Sequence, residues 1–398
     1  MDENLDEKAI HEIEEVLGTK IYPGTEIMKD VGTHHFVKSH HKSVLIPQPS
    51  DDPQDPLNWS PFWKIATIFS STALSFSLNL GPLALAPMFE AYIEEWGRSL
   101  ADVVQFTGVA ILVLGFSNFI WVPMSQTGVD AEAGNSDKLA PTETHVDPAL
   151  GKGKPGKKQF LPVQGYEGNL FRELWLPFYL HLYPIVEFAA FVVSWSASGF
   201  LVVNLSQTQA FAAPPYDYKS QTIGLFNIAV LIGGLIGLFT CGPLSDWVAA
   251  HLTARNNGVR EPEMRLLAMI PYVIIMIFGS IITAVGYDHH WPWQAIVVLG
   301  YASLGMQVSA LPSIASTYAI DSYKPITGSM FVTITINKNV WGYGVSKFIT
   351  PWAEKNGFIP PILVNMALTT IFCLCGIIFW FYGKRFRGIT KDSFVHRL

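Results

Sequence analysis

Two groups of residues in this sequence carry types and spacings that could do chemistry. The first is a set of polar side chains set in apolar surroundings. Glu187 is flanked by Ile185, Val186 and Phe188. A carboxylate among such neighbours has its neutral form favoured and can carry a proton; the alternative is an ion pair that fixes two helices. Lys338 stands between Asn337 and Asn339. It can pair with Glu187 or hold an anionic group of a bound solute. Asn79 offers a further amide. Trp341, with Tyr343, Tyr301 and Trp195, offers aromatic faces that can hold an organic cation. The second group lies between Cys241 and Leu266. Asp246 ends an apolar run, and a polar stretch follows with His251, Arg255, Arg260, Glu261, Glu263 and Arg265. Asp246 and Arg255 can form a charge-paired latch that opens and closes as helices move.

Enzyme chemistry finds less support. Ser196-Ala197-Ser198-Gly199 has the look of a nucleophile turn, but the later histidines His251, His289, His290 and His396 lie in loops or the tail. The pairs His34-His35 and His40-His41 have no cysteine or fixed carboxylate beside them to complete a metal site. No phosphate loop and no CxxC pair occurs. The expectation is therefore no catalytic residue, no metal, no cofactor and no nucleic-acid partner.

Such polar groups need elements that hold them at membrane depth. The chain has 398 residues, of which 49% are hydrophobic and only 15% charged. Soluble domains carry about 25% charged residues, so most of this chain is expected to face lipid. The 12 Trp and 26 Phe suit aromatic belts at the two interfaces. Cys241, Cys373 and Cys375 all lie in or beside apolar runs, which predicts free thiols. Eight runs are long enough to cross a bilayer: 65–89, 103–124, 178–205, 222–244, 266–286, 293–318, 326–350 and 360–382. With the N-terminus inside, 21 Lys and Arg fall on inner segments, and only Arg98, Lys219 and Lys355 fall outside. That asymmetry places both termini in the cytoplasm. No secretory leader is visible, so the first span is expected to direct insertion.

The predicted fold is all-α, a polytopic membrane helix bundle of about eight spans. Residues 1–62 form a cytoplasmic tail and 63–124 hold the first two spans. Residues 125–172, rich in Gly, Pro, Asp and Lys, read as a disordered cytoplasmic linker. Residues 173–383 hold six spans, and 384–398 form a second cytoplasmic tail.

Several stretches resemble the fungal members of the major facilitator superfamily (MFS). Asp55-Pro56-Leu57-Asn58-Trp59-Ser60 is similar to their entry motif. Gly242-Pro243-Leu244-Ser245-Asp246-Trp247, with Glu261-Pro262-Glu263-Met264-Arg265-Leu266, resembles the loop motif between family helices eight and nine. Tyr318-Ala319-Ile320-Asp321-Ser322-Tyr323 resembles the end of helix ten. Thr350-Pro351-Trp352 and Glu354-Lys355-Asn356-Gly357 resemble the end of helix eleven. The resemblance covers residues 51–124 and 172–390. It implies a secondary active transporter of a small organic solute (drug-, polyamine- or metabolite-like), coupled to protons and working by alternating access in the plasma membrane. It implies a latch role for Asp246 and Arg255, and cavity roles for Asn79, Glu187, Asn337, Lys338 and Trp341. The family has twelve helices, and the resemblance implies that helices three to six are skipped here at Ser125-Gln126, which gives a partial MFS fold. The alternative it leaves open is a truncated, transport-inactive membrane protein from a spliced or mispredicted gene.

Overall fold

In a bilayer every backbone N–H and C=O must find its partner within the chain, so apolar runs of this length can cross only as helices. The computed structural model describes residues 14, 19–27, 56–84, 88–126, 152–156, 170–391 and 393. Each expected span corresponds to a long helix. These are α1 (Pro61–Ala84), with the short α2 (Phe89–Trp96) after it, α3 (Leu100–Gln126) and, beyond the short α4 (Leu170–Tyr179), α5 (Pro184–Phe211). Then come α6 (Ser220–Arg255), α7 (Ile270–Asp288), α8 (Ala302–Ser322), α9 (Thr327–Asn356), α10 (Ile359–Leu374) and α11 (Gly376–Thr390). A 3-10 stretch, Pro262–Met269, leads into α7, and a π-helical turn, Ala295–Tyr301, leads into α8.

Among the described residues six helical stretches are both long and apolar enough to cross a membrane: Leu100–Phe119, Pro184–Phe211, Ser220–Arg255, Pro262–Asp288, Ala295–Ser322 and Ile359–Thr390. The chain is a multi-pass membrane protein. α9 has the length but carries Asn337, Lys338, Asn339 and Lys347. The side chains of α1 beyond Ala73, Asn79 among them, lie outside the described residues.

Three boundaries differ from expectation, each for a local reason. The fourth span does not stop at residue 244. Pro243 sits inside α6, and with no further breaker before Asn256-Asn257-Gly258 the helix runs on to Arg255, 36 residues in all. At 1.5 Å per residue that is about 54 Å, longer than the hydrocarbon core. The third span begins later than expected. Its chain turns through Leu180–Leu182, and Pro184 starts α5 because proline suits the first helical position, where no N–H is needed. Third, α11 continues to Thr390, so residues 384–390 are helix rather than tail. Most of the linker lies outside the described residues. Within 152–156, however, the Gly153 N–H donates to the Asn58 carbonyl, and the Ser60 N–H donates to the Gly153 carbonyl, at 2.9 and 3.0 Å.

α5 is the axis of the bundle. Nearly its whole length is buried, and α8, α9 and α10 pack around it. One apolar cluster joins Ile185, Val186 and Ala189 of α5 to Met276, Leu311, Ile314 and Met330. A second joins Val203, Leu205 and Phe211 to Ile223, Tyr287, Tyr301 and Ile349. α6 lies tight against α8 because Gly233 and Gly237 face it. A Cβ on Gly237 would stand 2.6 Å from the Met306 carbonyl oxygen. Small residues allow such backbone approach in lipid, where helix association depends on close packing. α3 lies along α9 in the same way, with Gly108 against Ser346 and Gly115 against Asn339.

Candidate functional site

The largest polar assembly in the described residues sits where α6, the Pro262–Met269 stretch, α8 and α11 end on one side of the bundle. α6 carries Asp246 to this end with its side chain about two-thirds exposed. Arg265, one turn into the 3-10 stretch, spans two carboxylates. Its Nη1 donates to Asp246 Oδ1 at 2.7 Å and its Nε donates to Asp321 Oδ2 at 2.7 Å. A third contact runs from Nη1 to Ser245 Oγ at 3.2 Å. One guanidinium thus ties α6, the entry to α7 and the end of α8. Arg260 Nη2 also approaches Asp246, at 3.6 Å.

A second knot lies beside the first. Arg387 of α11 is fully buried and donates through every N–H it has. Nε meets Glu263 Oε1 at 2.9 Å. Nη2 meets Glu263 Oε2 at 2.8 Å and Glu261 Oε2 at 2.5 Å. Nη1 meets the Pro23 carbonyl at 2.7 Å and Thr25 Oγ1 at 3.2 Å. Lys384 Nζ adds a 2.7 Å contact to Glu261 Oε1. A buried charge is tolerated only when paired and hydrogen-bonded, and this one is both. Burial pushes the Glu261 carboxyl up, but Arg387 and Lys384 outweigh it and hold the group below the usual carboxylate range.

The structure separates Asp246 from its expected partner. Arg255 lies nine residues further along the same continuous helix, about 13 Å away by helical rise, and is exposed. The arginines that reach Asp246 are Arg265 and Arg260, which come back across the loop. Both stand in the stretch already singled out by the sequence. What hid the pairing was the assumed helix end at residue 244. Asp321, Glu261, Glu263 and Arg387 went unassigned, because their convergence depends on how four chain ends meet.

The expected cavity residues scatter. Glu187 sits in the first turn of α5, not deep in a span, and its Oε1 meets His181 Nδ1. The helix N-terminus also favours a carboxylate there. Lys338 is half-buried in α9, and among the described residues no acidic side chain pairs with it, so the Glu187–Lys338 ion pair is not formed. Asn337 is half-buried beside it. Trp341 packs on Trp195 of α5, with ring centroids 4.9 Å apart. Near Trp195 lies a buried polar layer. Ser196 Oγ donates to Gln307 Oε1 at 2.8 Å, and Gln307 Nε2 donates to the Ser196 carbonyl at 3.2 Å. Thr369 Oγ1 donates to the Trp195 carbonyl at 3.2 Å. Trp195 Nε1, Ser198 Oγ and Asn365 Nδ2 are buried there without a partner among the described residues. Unpaired polar atoms in an apolar interior are costly, and a bound solute or water would relieve them. A separate groove of about 880 Å³ runs along α3, lined by Trp96, Arg98, Asp102, Phe106, Val113 and Ser117. Glu187, Asn337, Lys338 and Trp341 are not among its described lining residues.

Comparison with known proteins gives the arrangement a context. No family model matches the sequence. No solved structure matches it. Curated proteins do. Protein HOL1 of Saccharomyces cerevisiae is 27% identical over 293 residues, covering 68% of this chain and 49% of that protein. The MFS-type transporter penM of Penicillium rubens is 29% identical over 203 residues, 48% of this chain and 38% of the relative. A probable efflux pump, mfs2, of Aspergillus flavus is 23% identical over 217 residues, 54% of this chain and 51% of the relative. The chain spans about half the length of these relatives or less.

Proposed function

We propose that this relative of fungal MFS-type transporters moves a small organic solute across a membrane by alternating access. The observation that carries the proposal is the Asp246–Arg265–Asp321 chain, which joins three helical segments through one guanidinium. Such a contact is strong while closed and can be exchanged for water when the ends part, because Asp246 is already largely exposed. The names of two of the relatives, an MFS-type transporter and a probable efflux pump, support transport over enzyme chemistry.

In this reading the solute meets the polar layer of α5, α8 and α10, together with Asn337, Lys338 and Trp341 of α9 and Asn79 of α1. Amides, a lone ammonium and indole faces suit a solute with an apolar body and few hydrogen-bonding groups. Protons move at Glu187, whose carboxylate touches the His181 imidazole, a second group able to take up and give a proton. The protein resides in the plasma membrane with both termini in the cytoplasm, in keeping with the Lys and Arg asymmetry.

The test is uptake into vesicles holding the purified chain, over a panel of amines, vitamins and aromatic metabolites. At least one solute should accumulate, and Asp246→Asn should slow it about tenfold while the protein stays folded. Arg265 keeps Asp321 in that variant, so the loss falls on the latch. A chain that inserts correctly and moves no member of the panel overturns the proposal.

A further inference from the structure

Residues 19–27 lie more than 230 positions before the residues they touch, yet they are laid across the cytoplasmic end of the bundle. Two residues make the seat a strand pair: Glu26 opposite Arg260 and Ile27 opposite Val259, antiparallel. Thr25 Oγ1 donates to Glu261 Oε2 at 2.9 Å and accepts from Arg387. Lys384 Nζ donates to Thr19 Oγ1 at 2.9 Å. Lys324 Nζ donates to Glu26 Oε1 at 2.5 Å, and Arg260 Nε lies 3.9 Å from Glu26 Oε2. Gly24 takes φ +84°, and a Cβ there would stand 3.0 Å from Ser322 Cα and 3.2 Å from the Pro262 ring. Only glycine lies this flat against the end of α8 without strain.

These contacts do two things to the charge network. Pro23 and Thr25 supply the acceptors for both Nη1 hydrogens of Arg387 and so complete its burial. Glu26 holds Arg260, which in turn faces Asp246 at 3.6 Å. Through Arg260 the segment is therefore linked to Asp246 of the latch.

We propose that residues 19–27 form a strap whose seating holds the cytoplasmic end closed, and whose release frees the latch. The proposal rests on reading the network as a transport latch, but its test uses no solute. Thr25 is the release point. Its hydroxyl donates to Glu261, so a negative charge in its place loses that donor and repels the carboxylate.

The full chain, with Cys241, Cys373 and Cys375 replaced by alanine, carries Ile27→Cys and Val259→Cys and a protease site inserted within 126–171. Mild oxidation in membranes should leave the two cleaved fragments joined until reductant is added. Ile27→Cys with Lys355→Cys should not join them. Fragments that never join for the first pair overturn the seating. In a second series Ser245→Cys reports the latch by maleimide labelling and Ser280→Cys reports the fold. Thr25→Asp should raise labelling at position 245 at least about tenfold, the low end of the shift expected from losing one hydrogen bond to a charged group, with none at 280. Equal labelling with and without Thr25→Asp overturns the release. Should position 280 also label, Thr25→Val replaces Thr25→Asp and the same rise is required of it.

Discussion

At Arg387 the guanidinium spends all five of its N–H groups on three side chains and one carbonyl from widely separated parts of the chain. An apolar replacement of the whole group would tolerate burial; removal of one partner would strand a charge. Glu261 shares this fate and adds a pH signature. Its folded carboxyl is held below the ordinary value. The stability it contributes is therefore complete above the ordinary carboxylate range of about 4.3 and is lost as pH falls through the folded value. Thermal unfolding in detergent should show the midpoint dropping on acidification below about pH 4, and Glu261→Gln should flatten that drop. A profile that is the same in both proteins would mean that other carboxylates set it.

The helices set where such groups can meet. α6 matters twice, first because it overruns the bilayer and delivers Asp246 and Ser245 to the charge network. Second, its Gly233 and Gly237 let it press against α8, whose end supplies Asp321. Gly237→Leu should break this seam, since even a Cβ meets the Met306 carbonyl at 2.6 Å. The expected cost is at least about 1–3 kcal/mol, the usual range for overpacking, read as lost monodisperse protein on size exclusion. Gly242→Ala, five residues on with nothing within 4 Å, is the matched control. It should stabilise slightly, by up to about 1 kcal/mol, through helix propensity. If both behave alike, the seam does not depend on close approach.

For the whole molecule, α3 is not an ornament beside a six-helix unit, because it packs along α9 as α5 does. Among the described residues α1 meets α3. The Lys and Arg distribution makes a prediction at this scale. A C-terminal epitope and an N-terminal epitope should both be reached only after the cell is permeabilised, while a cysteine introduced at Lys355 should label from outside. Opposite results for the two ends would require an odd number of crossings and a different bundle.

The membrane character, the long helices and the free thiols were legible in the sequence, because apolar length and charge asymmetry act locally and need no partner. Asp246 was legible as an ion-pairing residue for the same reason: a carboxylate at the edge of an apolar run invites a cationic partner. Its partner was not. The apolar run ends near residue 244, the helix continues past it to Arg255, and nine residues of rise carry Arg255 out of reach. Glu187 looked deep until Pro184 was seen to open the helix just before it. The Arg387 knot and the strap on it depend on contacts across more than a hundred residues. Periodicity says which face of a helix is apolar, but only the packed bundle decides which ends come together, and charges are paired at the ends.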